Sequence, residues 1–222
     1  MTKQHEVVGV SRDIDFQMAL KAYRLGVFPW PVEENLVLWY YPVKRAILFS
    51  KNFRMPNKTS TNYLRDFKQL EWKINENIFQ RLNECRSYHL QKRGDTWLTH
   101  KLMNFYLEAW RLGYFFSLSA FYKKQLVGVI FSVKIGGYVC SETMYSVASH
   151  GSSVALYGLL KLLESQNLNW IDIQILNDYT FKLGGVELTR QNFSRLLRNA
   201  QAAQLQIPES FCVSESTFLT QG

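Results

Sequence analysis

The sequence predicts an α+β fold, in which a small N-terminal α/β part (residues 1–45) packs on a larger part (residues 46–222) with a mainly antiparallel sheet. Apolar residues recur at helical spacing in several segments, and beyond residue 113 the period changes to that of strands. With 222 residues, of which 47% are hydrophobic and 15% aromatic, the chain can bury a substantial core. We therefore expect a folded globular protein.

The N-terminal part is predicted to contain a helix and a strand. Near-helical spacing of apolar residues predicts a helix over 14–25, which Gly26 ends. The two prolines of segment 27–31 cannot continue this helix and favour extended backbone. A strand follows over 36–41, and no Gly-, Ser- or Pro-rich linker separates it from the next strand over 45–49. We therefore expect the two parts to pack on each other.

The larger part begins with helices and continues into a sheet. Its predicted elements are helices over 60–70, 77–87 and 96–112, a strand over 71–75, a polar loop over 86–95, strands over 114–121, 126–135 and 138–145, a helix over 152–166 and a strand from 170. The pair Gly136-Gly137 is a two-residue hairpin signal. The order helix, three-stranded antiparallel meander, helix and strand is the skeleton of the N-acetyltransferase-like (GNAT) fold.

The strand that begins at Trp170 carries two polar side chains among isoleucines. Because alternate side chains of a strand point to opposite faces, Asp172 and Gln174 share the face opposite to Ile171. A buried carboxylate needs hydrogen bonds or a charge partner, and a buried amide needs its donors and its acceptor satisfied. The pair is therefore a candidate site, and an edge strand whose polar face meets water is the alternative.

The net charge of +8 and the pI of about 9.4 indicate an anionic partner. The basic residues are spread along the chain, so a basic surface that serves only solubility is the alternative to nucleic-acid binding. No apolar run approaches the roughly 20 residues of a membrane helix, and the N-terminal residues lack the apolar core of a secretory signal. We expect a cytoplasmic protein without membrane contact.

Cysteine and histidine usage predicts neither a disulfide framework nor a metal site. The three cysteines, Cys85, Cys140 and Cys212, are far apart in the sequence. The four histidines include no close pair, and the sequence has no Cys-x-x-Cys motif.

Five motifs along most of the chain stand in the order of a known family. They are Ala22-Tyr-Arg-Leu-Gly-Val-Phe-Pro-Trp30, Leu38-Trp39 with Arg45-Ala-Ile-Leu48, Thr96-Trp-Leu-Thr99, Glu142-Thr-Met-Tyr-Ser146, and Ile171-Asp-Ile-Gln-Ile-Leu-Asn-Asp178 with Leu183-Gly184. Each motif alone is weak, but five in register are specific. On these motifs the chain resembles the bacterial leucyl/phenylalanyl-tRNA–protein transferases, which move Leu or Phe from a charged tRNA onto a protein's N-terminal Arg or Lys.

The resemblance implies roles for the polar residues of the last two motifs. Asp172 would be the catalytic base for the attacking amine, and Gln174 would orient that amine or relay its proton. An α-amino group has a pKa of about 7.7–8.0, so much of it is protonated at neutral pH. A base that accepts this proton could contribute about 10²–10⁴ in rate. Glu142 would bind the basic side chain of the acceptor by charge-assisted hydrogen bonds, and a surface glutamate at a strand edge is the alternative.

The resemblance also implies an apolar pocket for the transferred side chain. Its lining would be Tyr23, Trp30, Trp97, Tyr106, Ile130, Leu156, Leu159, Leu163 and Ile171. Judged without the resemblance, each of these is a core residue, the leucines above all. Trp30, which follows a proline in a turn-like segment, is the least core-like.

The implied donors are Leu-tRNA and Phe-tRNA, with Met as a third amino acid to consider. The implied acceptors are proteins with N-terminal Arg or Lys, which the transfer would mark for N-end rule degradation. A tRNA is a large anion, in agreement with the basic chain. Candidate phosphate contacts are Arg54, Lys58, Arg65 and Lys68, with solvated surface charges as the alternative. No cofactor is implied, because the aminoacyl-tRNA is itself the donor, and the family implies a monomer.

Two positions depart from the family's pattern. Val147 and Ser153 stand where the family usually has Arg and Lys, which questions tRNA affinity more than the chemistry of Asp172 and Gln174. Two alternative functions stay open: a family member that binds RNA without transfer, and an acetyl-CoA-dependent N-acetyltransferase. The latter needs a glycine-rich phosphate-binding loop, whereas segment 147–152 offers one glycine and no Lys or Arg.

Overall fold

The computed structural model describes residues 6–56, 58–208 and 210–211, with side chains for all of them except 58–61, 210 and 211. The first elements are β1 (Val7–Ser11), α1 (Phe16–Arg24), β2 (Phe28–Glu33), β3 (Leu36–Tyr40), β4 (Lys44–Phe49), α2 (Lys58–Arg65), β5 (Leu70–Ile74), α3 (Ile78–Arg93) and α4 (His100–Arg111). The remaining elements are β6 (Phe115–Tyr122), β7 (Gln125–Ile135), β8 (Tyr138–Ser146), α5 (Gly151–Glu164), β9 (Trp170–Gln174), α6 (Asp178–Lys182), β10 (Val186–Thr189), α7 (Arg190–Ala202) and β11 (Ser210–Phe211).

The strands form two sheets. The smaller sheet has the order β1-β3-β2, and the larger sheet has the order β10-β4-β9-β8-β7-β6-β5-β11. Pairing in the larger sheet is antiparallel except between β8 and β9, which are parallel, so the predicted mainly antiparallel sheet is confirmed. Strand β9 lies between β4 and β8. The alternative of an edge strand for Asp172 is therefore wrong.

Capping residues of the sequence set the helix ends. Asp15 accepts a hydrogen bond from the backbone N of Met18 at the start of α1, and Thr99 accepts one from Leu102 at the start of α4. Gly94 ends α3 with a φ of 80°, a left-handed conformation that glycine adopts without a steric cost. The α3–α4 connection therefore turns where the sequence supplies a glycine.

The hydrophobic core occupies both faces of the larger sheet. Because neighbouring strand residues point opposite ways, Phe131 and Ile130 on β7 belong to different core clusters. The first cluster packs against α1, α4 and the smaller sheet, and residues from both predicted parts of the chain contribute to it. The second cluster is covered by α5, which is buried along most of its length. The division at residue 45 stays a prediction.

Each helix and strand predicted between residues 14 and 174 is present, but the helix predicted over 60–70 ends at Arg65 and the helix predicted from 96 begins at His100. The polar loop over 86–95 is wrong, because α3 continues to Arg93 and buries both Cys85 and His89, one turn apart. The extended backbone predicted over 27–31 is confirmed, but the sequence pattern did not predict that this segment, with its two prolines, pairs as β2. Those prolines are tolerated because β2 is an edge strand of the smaller sheet. Strands β1, β10 and β11 and helices α6 and α7 were also not predicted.

Candidate active site

Asp172 on β9 and Arg45 on the neighbouring strand β4 form a buried ion pair. Asp172 is 0% exposed and Arg45 is 1% exposed. Arg45 Nε lies 2.8 and 3.0 Å from the two carboxylate oxygens, and Nη2 lies 2.6 Å from Oδ2. The guanidinium carbon lies 4.5 Å from the ring centre of Phe28 and 4.9 Å from that of Phe193. Burial disfavours the charged guanidinium, but Asp172 outweighs this and raises the pKa of Arg45.

Two further donors complete the surroundings of the Asp172 carboxylate. Tyr138 OH donates to Oδ2 at 2.5 Å, and the backbone N of Gln174 donates to Oδ1 at 2.8 Å. Burial and the charge of Asp172 raise the pKa of Tyr138 well above its ordinary value, so the hydroxyl stays protonated as a donor. Both carboxylate oxygens are therefore occupied by protein groups.

Gln174 ends β9 in a left-handed conformation with a φ of 63°. Such a conformation costs a non-glycine residue about 1–3 kcal/mol. The pairing of β9 with β4 has an irregularity at this point, and the bond from Gln174 N to Asp172 Oδ1 stabilises the turn. As a result the Gln174 side chain reaches β8, where Nε2 lies 3.4 Å from Cys140 Sγ and 3.2 Å from Glu142 Oε1.

Glu142 is a partly buried carboxylate held by neutral donors. Tyr106 OH donates to its Oε2 at 2.8 Å. Burial raises the pKa of Glu142 above its ordinary value, and the hydrogen bonds that it accepts offset only part of this. Burial and the charge of Glu142 raise the pKa of both Tyr23 and Tyr106 well above the ordinary value. Within the described residues Glu142 has no cation at ion-pair distance, so it can attract one from outside.

Gln174 and Glu142 line a cleft of about 1030 Å³. This is the volume of a small-molecule site. Trp30 and Trp97 form one wall, with ring centroids 5.8 Å apart and ring planes inclined by 19°. The other walls come from the end of α3, the second half of β8, the turn before α5 and the segment after β9.

The structure brings four predicted site residues to this cleft: Gln174, Glu142, Trp30 and Trp97. Asp172 and Tyr106 lie behind it and hydrogen-bond to Gln174 and Glu142 respectively, and Tyr23 is buried nearby. Five predicted pocket residues lie in the second core cluster, and none of them lines the cleft: Ile130, Leu156, Leu159, Leu163 and Ile171. The structure gives these five a packing role, and their pocket role stays a prediction that the cleft geometry does not support.

The predicted phosphate-binding residues lie away from the cleft. Arg54, Arg65 and Lys68 are exposed in the region of α2, a helix that packs against α5, and none of the three lines the cleft. The side chain of Lys58 lies outside the described residues. Contact of these residues with tRNA stays a prediction.

The sequence reasoning missed Arg45 as a partner of Asp172. A signal for it was present, because Arg45 directly precedes the apolar run 46–49, and a buried carboxylate requires a charge partner. Tyr138 and Cys140 were missed because nothing in the sequence separates them from the other apolar residues of β8.

The turn before α5 satisfies its own backbone groups. The amides of residues 151–154 donate to Ala148 O, Ser146 Oγ and His150 O. These amides are therefore not available to bind a pyrophosphate at the helix N-terminus. This argues against the acetyl-CoA alternative.

In the described part of the chain, no arrangement of side chains is suited to binding a metal ion or to thiol chemistry. No group of three or more His, Cys, Asp or Glu residues there could hold a metal ion. Cys85 and Cys140 are free and buried, and burial raises the pKa of both thiols. Cys212 lies outside the described residues. As far as the structure describes the chain, none of its helices has the length and apolar character needed to cross a membrane.

The family models and the relatives found by sequence agree on one family. The family model for the leucyl/phenylalanyl-tRNA protein transferase N-terminal domain matches residues 12–43, and the model for leucyl/phenylalanyl-tRNA protein transferase matches residues 47–198. The leucyl/phenylalanyl-tRNA–protein transferase of Pseudoalteromonas atlantica is 31% identical over 85% of this chain and 79% of its own. That of Idiomarina loihiensis is 28% identical over 95% and 88%. A conserved protein of unknown function from Bacteroides thetaiotaomicron shares 12% identity, with a TM-score of 0.45 over 64% of this chain and 55% of its own.

The matching proteins are aminoacyltransferases, so the chain is an enzyme of that class. It belongs to the leucyl/phenylalanyl-tRNA–protein transferase family, whose two models together span most of its length. The resemblance that the five sequence motifs indicated is thereby confirmed.

Proposed function

We propose that this enzyme transfers Leu or Phe, with Met as a third candidate, from aminoacyl-tRNA to proteins whose N-terminal residue is Arg or Lys. The new peptide bond would mark the acceptor for N-end rule degradation. The proposal includes no cofactor and no metal, because the charged tRNA is the donor. It also includes a cytoplasmic location, a monomeric enzyme, and a GNAT-like catalytic domain over residues 46–222.

One observation carries the proposal: the Gln174 amide lines the cleft beside Glu142 with its nitrogen engaged and its oxygen free. The Nε2 atom contacts Cys140 Sγ and Glu142 Oε1. The Oε1 atom has no hydrogen-bond partner among the described residues, so it can accept a hydrogen bond from an entering amine. A basic side chain on the same acceptor residue would meet the Glu142 carboxylate.

The chemistry follows from this arrangement. The acceptor nitrogen attacks the ester carbonyl carbon, a C–N bond forms, the ester C–O bond breaks, and the ribose hydroxyl leaves with a proton. Gln174 Oε1 would hold one N–H so that the lone pair points at the ester, which is an orientation effect. Trp30 and Trp97 would pack on the transferred apolar side chain. A charged side chain in the same place would lose its hydration, which is unfavourable.

Asp172 has two competing roles. The resemblance implies a base, but its oxygens are occupied by Arg45, Tyr138 and Gln174, and Asp172 does not line the cleft. We therefore propose that Asp172 is a positioning residue. It stabilises the left-handed turn at Gln174, and that turn directs the amide toward β8 and the cleft.

The decisive test of the function is a transfer assay. Purified protein, radiolabelled Leu-tRNA and a peptide that begins with Arg are expected to give labelled peptide. The same peptide with an acetylated N-terminus is the control, because it offers no amine. Acetyl-CoA in place of Leu-tRNA is expected to give no product.

The second candidate function is RNA binding without transfer. Its motivation is that Val147 is exposed and Ser153 buried at positions where the family usually has positive charges. Retained tRNA binding with no labelled peptide would favour this candidate and contradict the proposed transfer.

Glu142→Gln is expected to lower kcat/KM about 10- to 100-fold for acceptors that begin with Arg or Lys. A charge-assisted hydrogen bond contributes about 1.5–3 kcal/mol, and the amide cannot replace it. Because burial raises the pKa of Glu142, the wild-type preference for basic acceptors should decline on acidification at a higher pH than for an ordinary glutamate. The variant should lack this acidic limb.

The control for this variant is Glu108→Gln, an exposed carboxylate on the same helix as Tyr106. It is expected to leave acceptor preference unchanged. An equal loss for basic acceptors and for a peptide with a neutral first residue would remove Glu142 from acceptor recognition.

A further inference from the structure

The entrance of the cleft carries two cations that no motif of the sequence singled out. Resting on the proposed tRNA donor, we propose that Lys92 and Arg93 bind the backbone phosphates of the 3′-terminal nucleotides of that tRNA. Both residues are exposed, lie in the last turn of α3, and line the cleft that contains Gln174 and Glu142.

Aromatic rings hold the two cations beside the cleft. Lys92 Nζ lies 4.7 Å from the ring centre of Tyr88, and the guanidinium carbon of Arg93 lies 5.3 Å from that of Trp97. Among the described residues neither cation makes an ion pair, so both charges are available to a ligand. Trp97 also stacks on Trp30, so Arg93 continues the aromatic wall toward the solvent.

The charges that line the cleft attract an anionic ligand and a cationic ligand to different places. Among the described residues that line the cleft, the one Asp or Glu is Glu142, and the one Lys and the one Arg are Lys92 and Arg93. An acceptor with a basic side chain is attracted to Glu142, and a phosphate is attracted to the pair on α3. Because the ester must reach Gln174, the last phosphates of the donor must enter the same cleft.

The field of the two cations extends into the cleft. His89 is buried one turn before Arg93, with its Nε2 3.0 Å from Thr143 Oγ1. Burial, followed by the charges of Arg93 and Lys92, lowers the pKa of His89 to about 4. His89 is therefore neutral near pH 7 and adds no positive charge to the cleft.

Among the described lining residues of this cleft there is no Lys or Arg besides Lys92 and Arg93. The amides at the start of α5 are used within their own turn, and Val147 and Ser153 are uncharged. Arg54, Arg65 and Lys68 do not line the cleft. Lys92 and Arg93 thus supply the charge that the positions 147 and 153 lack.

The test is the double variant Lys92→Gln/Arg93→Gln, with Arg195→Gln/Arg198→Gln as the matched control. The control residues are exposed on α7. This helix contacts the turn between β7 and β8, whereas the cleft is lined by the opposite end of β8, near Ser146. Each variant removes two positive charges. Binding of uncharged tRNA would be measured by fluorescence anisotropy over a range of salt concentrations.

We expect the slope of log K against log salt to fall in magnitude by about 1.4 in the Lys92/Arg93 variant, because each single-strand phosphate contact contributes about 0.7. The KM for Leu-tRNA should rise about tenfold with little change in kcat. The Arg195/Arg198 control should keep the wild-type slope. An equal slope change in both variants, or an unchanged slope in the first, would overturn the inference.

A phosphate-free donor, 3′-leucyl-adenosine, separates this inference from the proposed function. Wild type and the Lys92/Arg93 variant are expected to use it at equal rates, because no phosphate is present. A loss in the variant with this donor as well would mean that the two residues shape the cleft, and would refute phosphate binding. Failure of wild type with every donor would refute the transfer function, while the salt dependence of tRNA binding would still decide the inference. Weakened binding of polyglutamate with unchanged tRNA binding would instead assign the pair to an acidic protein.

Discussion

Arg45→Met is expected to lower the free energy of unfolding by about 3–5 kcal/mol, because it leaves the Asp172 carboxylate buried without its counter-charge. The ion pair has excellent geometry and almost no solvent access, with Arg45 1% and Asp172 0% exposed. A methionine fills much of the volume between the rings of Phe28 and Phe193 but donates no hydrogen bond. Urea denaturation followed by circular dichroism measures the change.

The control is Arg111→Met, which removes an exposed arginine of α4 and is expected to change stability by less than about 0.5 kcal/mol. A double variant, Arg45→Met/Asp172→Asn, tests the pairing itself. Since the two residues share one interaction, the double variant should be more stable than the sum of the two single losses implies. Strict additivity would show that the two side chains do not stabilise each other.

The surroundings of Asp172 show which parts of the site the sequence predicts and which it does not. The periodicity of the strand Trp170–Gln174 placed Asp172 and Gln174 on one face, and the sheet confirms it, because both contact side chains of β8 on that face. The partner of Asp172 was not found. Arg45 lies 127 residues away in the sequence, and only the placement of β9 between β4 and β8 brings the two together.

Three other features of the site were not predicted from the sequence, for local reasons. A two-residue period does not predict the left-handed turn at Gln174, which is stabilised by a hydrogen bond to a carboxylate two residues earlier. Assigning 86–95 to a loop hid Lys92 and Arg93, since their position on the cleft follows from the last turn of a helix. The aliphatic residues implied for the pocket, such as Leu159, have the same apolar pattern whether they line a pocket or a core, and in this structure they pack in the core.

Asp172→Asn is expected to lower the rate of transfer by about 10² or more at neutral pH. An asparagine cannot accept all of the bonds from Arg45, Tyr138 and Gln174 N, so the turn at Gln174 loses its support and the amide is displaced from the cleft. Displacement of an orienting group by about 1 Å can by itself cost about 10² in rate. The assay belongs at a temperature at which circular dichroism shows the variant folded, because Arg45 loses its counter-charge.

The pH dependence of Asp172→Asn decides between a base and a positioning residue. The acceptor's α-amino group has a pKa of about 7.7–8.0, so above that range the amine is already deprotonated and a base is no longer needed to create the nucleophile. If Asp172 were that base, the deficit of the variant would shrink toward high pH. If Asp172 positions Gln174, the deficit should stay constant across the whole profile. In that case Gln174→Ala should cost about as much, and the double variant little more than either single one, because both changes remove the same oriented amide. A deficit that disappears at high pH would return Asp172 to the role of base, in spite of the three residues that occupy its oxygens.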